Sequence, residues 1–186
     1  MHETVIRQGD LLISEPSIIG DESFSRSVVL ISEHNDEGIV GFILNKKLEY
    51  QLDDLIPEVT CSFDIFQGGP VNTDNLYFIH KVPNLIPGTH LIKDGIYWGG
   101  DFEVVKGLLN NQQIKTSEIK FFLGYSGWNV HQLENEIDQQ SWVVTSDIHE
   151  KTVFSQLSSS IWKSSMKKLG GAYQLWSNAP ENPQLN

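Results

Sequence analysis

Residues 28–44 read Val28-Val29-Leu30-Ile31-Ser32-Glu33-His34-Asn35-Asp36-Glu37-Gly38-Ile39-Val40-Gly41-Phe42-Ile43-Leu44. Val28 to Ile31 is an unbroken apolar run, long enough for a buried strand and too short for a helix. Glu33 to Gly38 reads as a polar turn, and Ile39 to Leu44 is a second apolar run with one glycine inside it. Two such runs around a polar turn predict a β-hairpin with a longer loop.

Outward from this hairpin, strand signals dominate. Gly9 to Ser14 reads as a short strand stopped by Pro16. Ile65-Phe66, Leu76 to Val82, His90 to Lys93, Ile96 to Trp98, Ile119 to Leu123 and Trp142 to Val144 are further strand candidates. Gly68-Gly69-Pro70 and Pro87-Gly88 supply turns. Leu48, Leu52, Leu55 and Ile56 fit one face of a short helix closed by Pro57. Phe102, Val105, Leu108 and Leu109 recur at helical spacing behind Asp101, a good N-cap. Val130, Leu133 and Ile137 mark another helix, with Asn129 at the cap and Gln132 three residues on, as in a capping box. Ile161, Trp162, Ser165, Met166 and Leu169 share a face of a last helix, ended by Gly170-Gly171. Strands outnumber helices and do not alternate with them, so the fold class is α+β.

The chain has 186 residues, which at roughly 150 residues per domain predicts one domain. Residues 1–176 form that domain and 177–186, with two prolines and three asparagines, form a loose tail. With 39% hydrophobic residues the chain is not of the disordered class. Its 24 acids against 13 bases leave a net charge of −11, the opposite of a basic nucleic-acid module. No apolar run approaches the roughly 20 residues that span a bilayer. Cys61 is the single cysteine, which excludes an internal disulfide framework. Residues 1–8 show no basic start followed by an apolar stretch, and a cytoplasmic setting is the expectation.

Candidate chemistry is sparse. Gly124-Tyr125-Ser126-Gly127 approaches the Gly-x-Ser-x-Gly nucleophile elbow but lacks its second spacer. The glycines are better read as letting the chain turn sharply between a strand and a helix. The six histidines form neither His-x-His nor His-Glu-x-x-His, so no metal and no cofactor is expected. Glu33 and His34 are adjacent on an extended segment and point to opposite faces. A turn stabilised by Asn35 and Asp36 is the simpler reading. Gly68-Gly69-Pro70 is not a phosphate loop, and a tight turn where another backbone passes closely explains it better. Arg26, among apolar neighbours, braces the fold or receives an anion. Lys163, Lys167 and Lys168 read as the solvated face of the last helix, too few contacts for a nucleic-acid grip.

Taken in order, these motifs resemble a known family. They run from Gly9-Asp10-Leu11-Leu12-Ile13-Ser14 through Phe24-Ser25-Arg26-Ser27-Val28-Val29-Leu30, Glu33-His34-Asn35, Gly38-x-x-Gly41-Phe42-x-Leu44-Asn45 and Gly68-Gly69-Pro70-Val71. Leu123-Gly124-Tyr125-Ser126-Gly127-Trp128, Gln132-Leu133-Glu134-x-Glu136 and Trp142 complete the set. No single motif is specific; the ordered set is similar to the YqgE/AlgH family of bacterial proteins over roughly residues 9–170. The resemblance implies a bifurcated, partly barrel-like, mostly antiparallel sheet flanked by helices. It also implies a transcriptional-regulator role, without a DNA-binding motif and without catalytic residues to carry over. Members commonly have alanine where this chain has Ser126.

Two functions follow as expectations. One is a non-enzymatic regulator acting through a protein partner or small ligand rather than on DNA. The other is an enzyme or ligand-binding pocket built from Arg26, His34, Asn35, Asn45, Gly68, Gly69 and Trp128. Those positions lie at strand ends and turns, where sites collect.

Overall fold

The computed structural model describes residues 5–16 and 23–178. Ten strands and six helices follow in the order β1 (Leu11–Ser14), β2 (Val28–Asn35), β3 (Gly38–Ile43), β4 (Lys47–Gln51), α1 (Leu52–Leu55), β5 (Asp64–Gln67), β6 (Val71–His80), β7 (His90–Lys93), β8 (Ile96–Trp98), α2 (Phe102–Asn110), β9 (Ile119–Trp128), α3 (Val130–Asp138), β10 (Trp142–Thr145), α4 (Glu150–Val153), α5 (Ser158–Leu169) and α6 (Gly171–Trp176). They build a mostly antiparallel open sheet in the order β10-β1-β2-β3-β9-β6-β8-β7, with helices on its faces. The α+β class and the helix-flanked antiparallel sheet agree with the sequence expectation.

The apolar runs are continuous because both faces of the sheet are covered. Side chains alternate along a strand. Leu11, Ile13, Val28, Leu30 and Phe42 pack with Ile161, Trp162 and Met166 of α5. Their neighbours Leu12, Val29, Ile31 and Ile43 pack with Trp128, Leu133 and Trp142 on the side of α3. Further along, Phe122 joins the α5 core while Phe121 joins Val105 and Leu109 of α2.

The sheet forks at β9. One edge of β9 pairs with β6. Its other edge is divided: β5 runs parallel to Phe121–Leu123, and β3 runs antiparallel to Ser126–Trp128. Beyond β3 the sheet continues through β2 and β1 to β10, and beyond β5 it ends at β4.

Several local expectations change. β2 and β3 are joined by a two-residue turn, Asp36–Glu37, because Glu33, His34 and Asn35 stay in register with Val40, Ile39 and Gly38. The segment from Leu48 is a strand before it is a helix. Lys47 pairs with Phe66 and forms a 2.8 Å ion pair with Asp64, leaving only Leu52–Leu55 helical. β9 does not turn at Gly124 but extends to Trp128. Gly170 ends α5, whereas Gly171 opens α6. Ser177 and Asn178 follow α6; the rest of the expected tail, and His2, lie outside the described residues.

Candidate functional site

The extension of β9 removes the nucleophile elbow. Ser126 is a fully buried strand residue whose Oγ donates to the Gly68 carbonyl at 3.0 Å. Gly68 sits in the fork: its N–H donates to Leu123 O at 2.8 Å, and its carbonyl accepts from Ile43 N at 2.9 Å. A Cβ at Gly68 would stand 2.2 Å from Gly124 O, and one at Gly69 would stand 2.2 Å from the Tyr125 carbonyl carbon. Here another backbone does pass closely.

The remaining sequence-selected residues, His34 apart, fall into two clefts. Asn35 and Trp128 line one of about 310 Å³ with Glu33, Glu37, Tyr125 and Gly127. Asn35 organises its rim. The Asn35 carbonyl oxygen accepts from the N–H groups of Glu37 and Gly38, and its amide donates to Glu33 Oε1 at 2.6 Å. Trp128 is anchored from behind: its Nε1–H and that of Trp142 donate to the same oxygen of Glu136, at 3.0 and 2.8 Å. His34 is half-buried and lines neither cleft.

Arg26 and Asn45 meet in a second cleft, of about 290 Å³, with Ser25, Lys46, Ser158, Ser159, Trp162 and Lys163. Arg26 holds φ at +50°, a left-handed conformation rarely adopted by residues other than glycine. Asn45 stabilises it from across the sheet end: its amide donates to Arg26 O and its carbonyl accepts from Val28 N, both at 2.8 Å. The guanidinium lies 5.0 Å from the centre of the Trp162 ring, close enough for cation–π attraction. Trp162 is fixed in turn by donation from its Nε1 to Ser14 O at 2.9 Å. Lys46 Nζ donates to Ser23 O, and Lys163 projects from the exposed side of α5.

The helix bordering this cleft is positioned by a lysine that sequence reasoning passed over. Lys120, 1% exposed at the start of β9, donates to Val153 O at 3.2 Å and Ser155 O at 2.8 Å, just before α5. Its Nζ stands 3.9 Å over the Phe66 ring. Burial pushes its ammonium down to about 7, opposed by the charge of Asp64. A lysine inside the apolar run Ile119–Leu123 was the available signal, since buried lysines need partners. Lys46, Ser158 and Ser159 left no comparable trace, because they share a cleft with Arg26 only once α5 has folded over β1 and β2.

Two other titratable groups are displaced by burial. His80 is fully buried, and desolvation lowers its pKa against a bond from its Nε2 to Gly99 O at 3.2 Å. Desolvation and the charge of Asp53 both raise the Cys61 thiol. Among the described residues, no three His, Cys, Asp or Glu side chains are grouped to hold a metal ion. No helix there is long and apolar enough to cross a membrane.

Comparison with known proteins places this architecture. A "UPF0301 protein" of Cytophaga hutchinsonii is 41% identical over 185 residues, covering 98% of this chain and 100% of that one. One from Bacteroides fragilis is 42% identical over 182 residues, covering 96% and 91%. A crystal structure from Corynebacterium diphtheriae shares the fold with a TM-score of 0.75 at 24% identity, covering 96% and 95% of the two chains. The solution structure of the AlgH protein from Pseudomonas aeruginosa gives 0.71 at 22% identity, covering 94% and 95%. The family profile described as AlgH-like matches residues 11–174, nearly the whole sheet and its covering helices, and the chain belongs to that AlgH-like family.

Proposed function

We propose that this protein is a non-enzymatic regulator of the cytosol that acts through a small ligand, seated in the cleft between Arg26, Asn45 and the start of α5, rather than on DNA. The observation that carries this reading is the cleft itself. Two residues selected from sequence, Arg26 and Asn45, meet there on a braced backbone, beside a helix that Lys120 holds in place. Ser126 supports the non-enzymatic part, being spent on the fork. The charge of −11 argues against a phosphate backbone as partner.

The test is a thermal-shift and NMR screen of the full chain against soluble metabolites, repeated on Arg26→Gln. A compound that stabilises the wild type and not the variant supports the reading. Hits that ignore the substitution, or specific DNA binding that weakens steeply with salt, contradict it.

A protein partner is the second reading, favoured by the Asn35–Trp128 cleft, where Glu33 and Glu37 flank Tyr125 and Trp128. Such a rim suits a basic segment. A partner retained by the wild type and lost with Glu33→Lys and Glu37→Lys together supports it; a partner indifferent to both does not.

A further inference from the structure

We propose that the outer edge of β6 at Leu76 takes up a short extended peptide segment of a partner protein, with apolar side chains between basic ends. This site is separate from the two clefts described above and depends on neither of them.

β6 spans Val71–His80, and one of its edges is paired to β9. Its other edge is met by β8 only at Ile79 and His80, and by Gly99 N, which donates to Phe78 O at 3.1 Å. The chain then leaves the sheet for α2. In an antiparallel ladder, residues two apart turn their backbone groups to the same side. Phe78 turns its carbonyl away from β9, so Leu76 presents its N–H and C=O to that same outer edge. The opposite strand agrees, because Leu123, which faces Leu76, gives its carbonyl to Gly68 N on the far edge of β9. Among the described residues, no strand pairs with the outer edge at Leu76. A donor and an acceptor so placed are what an added strand bonds to.

This edge opens on a cavity of about 420 Å³, whose walls stand on both faces of the sheet. Ile56 and Phe102 belong to the core beneath α2, whereas Tyr77 and Trp98 belong to the core beneath α5. All four are half-buried, so part of each remains open to a ligand. The walls are braced from behind: the Phe102 ring lies 6.0 Å from that of Phe78, and the Trp98 ring 5.4 Å from that of His90. An added strand sends successive side chains to opposite faces. Here each face meets it with an apolar wall, so neighbouring side chains of the segment are both apolar.

The surroundings fix its length and its ends. The register shift between Val71 and Leu76 bounds the edge on one side, and the arrival of β8 at Ile79 bounds it on the other. Only a short stretch fits between them. No charged side chain lines the cavity. The exposed charges beside it in the chain are acidic: Asp74, two residues before Leu76, and Asp101, which caps α2 next to Phe102. They favour basic residues flanking the apolar ones.

The experiment titrates the full-length chain with the capped peptide Lys-Val-Phe-Val-Lys, followed by backbone amide and Trp indole NMR shifts. Saturable shifts at the Leu76 amide and the Trp98 indole are expected by about 1 mM peptide. One of two backbone-methylated peptides, modified at Phe or at both Val, should bind about fivefold more weakly or worse, having lost the N–H that Leu76 O accepts. Alanine in place of Phe should weaken binding about tenfold or more, and glutamate in place of both Lys should weaken it as well. On the protein side, Ile56→Lys places a charge in the cavity and should weaken binding about tenfold. Where that variant fails to fold, the peptide series still decides. No saturable shift at Leu76 overturns the proposal, as does full binding by both methylated peptides or by the glutamate peptide. Equal shifts at Leu76 with phenol, a ring without a backbone, overturn it too and assign the cavity to small aromatic molecules.

Discussion

A hydroxyl in a glycine-rich string takes its meaning from where the backbone goes next. Ser126 has a nucleophile's neighbours, but β9 carries it into the sheet, where it donates to Gly68 O. That carbonyl also accepts from Ile43 N, so losing the hydroxyl strands no acceptor. Ser126→Ala is therefore expected to cost about 1 kcal/mol or less in urea unfolding. Lys120 makes a sharper prediction. Its folded value of about 7 lies below the roughly 10.4 of an unfolded lysine. Between those values the unfolded chain binds the extra proton, so this group makes stability rise with pH. In Lys120→Met that contribution disappears. The gain in unfolding free energy from pH 7 to pH 10 should be smaller in the variant, and equal gains in the two chains would count against the assignment.

Among the elements, the fork of β9 is decided by glycine. Two strands share one edge of a third only if the backbone leaving β5 can approach β9 without a side chain between them, and Gly68 allows this. Gly68→Ala has no room for its methyl and should cost about 3 kcal/mol or more. Gly107 in α2 provides the contrast, because a Cβ there meets nothing within 4 Å. Gly107→Ala should stabilise the protein by about 0.5–1 kcal/mol through helix propensity. Thermal melts of both variants check the pair, which must move in opposite directions. The same scale explains the misread segment from Leu48. Its spacing suits a helix, but the ion pair of Lys47 with Asp64 and the pairing of β4 with β5 hold Lys47–Gln51 extended. Helix propensity is worth only tenths of a kcal/mol per residue, less than a strand pairing supplies. In α3, Asn129 caps as its residue type suggests, accepting from Gln132 N at 2.7 Å. Gln132 turns instead to Glu136, so the box is half formed.

For the molecule as a whole, net charge remains the broadest statement about partners. With −11 overall, fluorescence anisotropy of labelled duplex DNA should stay flat through the roughly 10⁻⁸–10⁻¹¹ M range where specific binders saturate. Saturation there in physiological salt would defeat the regulator-by-ligand reading. Local patterns in the chain determined its class, most of its strands, the face α5 buries and the caps at Asp101 and Asn129. These depend on neighbours within a few residues, so apolar runs, spacing and cap chemistry record them directly. The fork, the burial of Ser126 and the meeting of Arg26, Lys46 and Lys163 came only with the tertiary structure. Each joins residues distant in the chain, as Arg26 and Trp162 are, and such a contact exists only once both faces of the sheet have been covered.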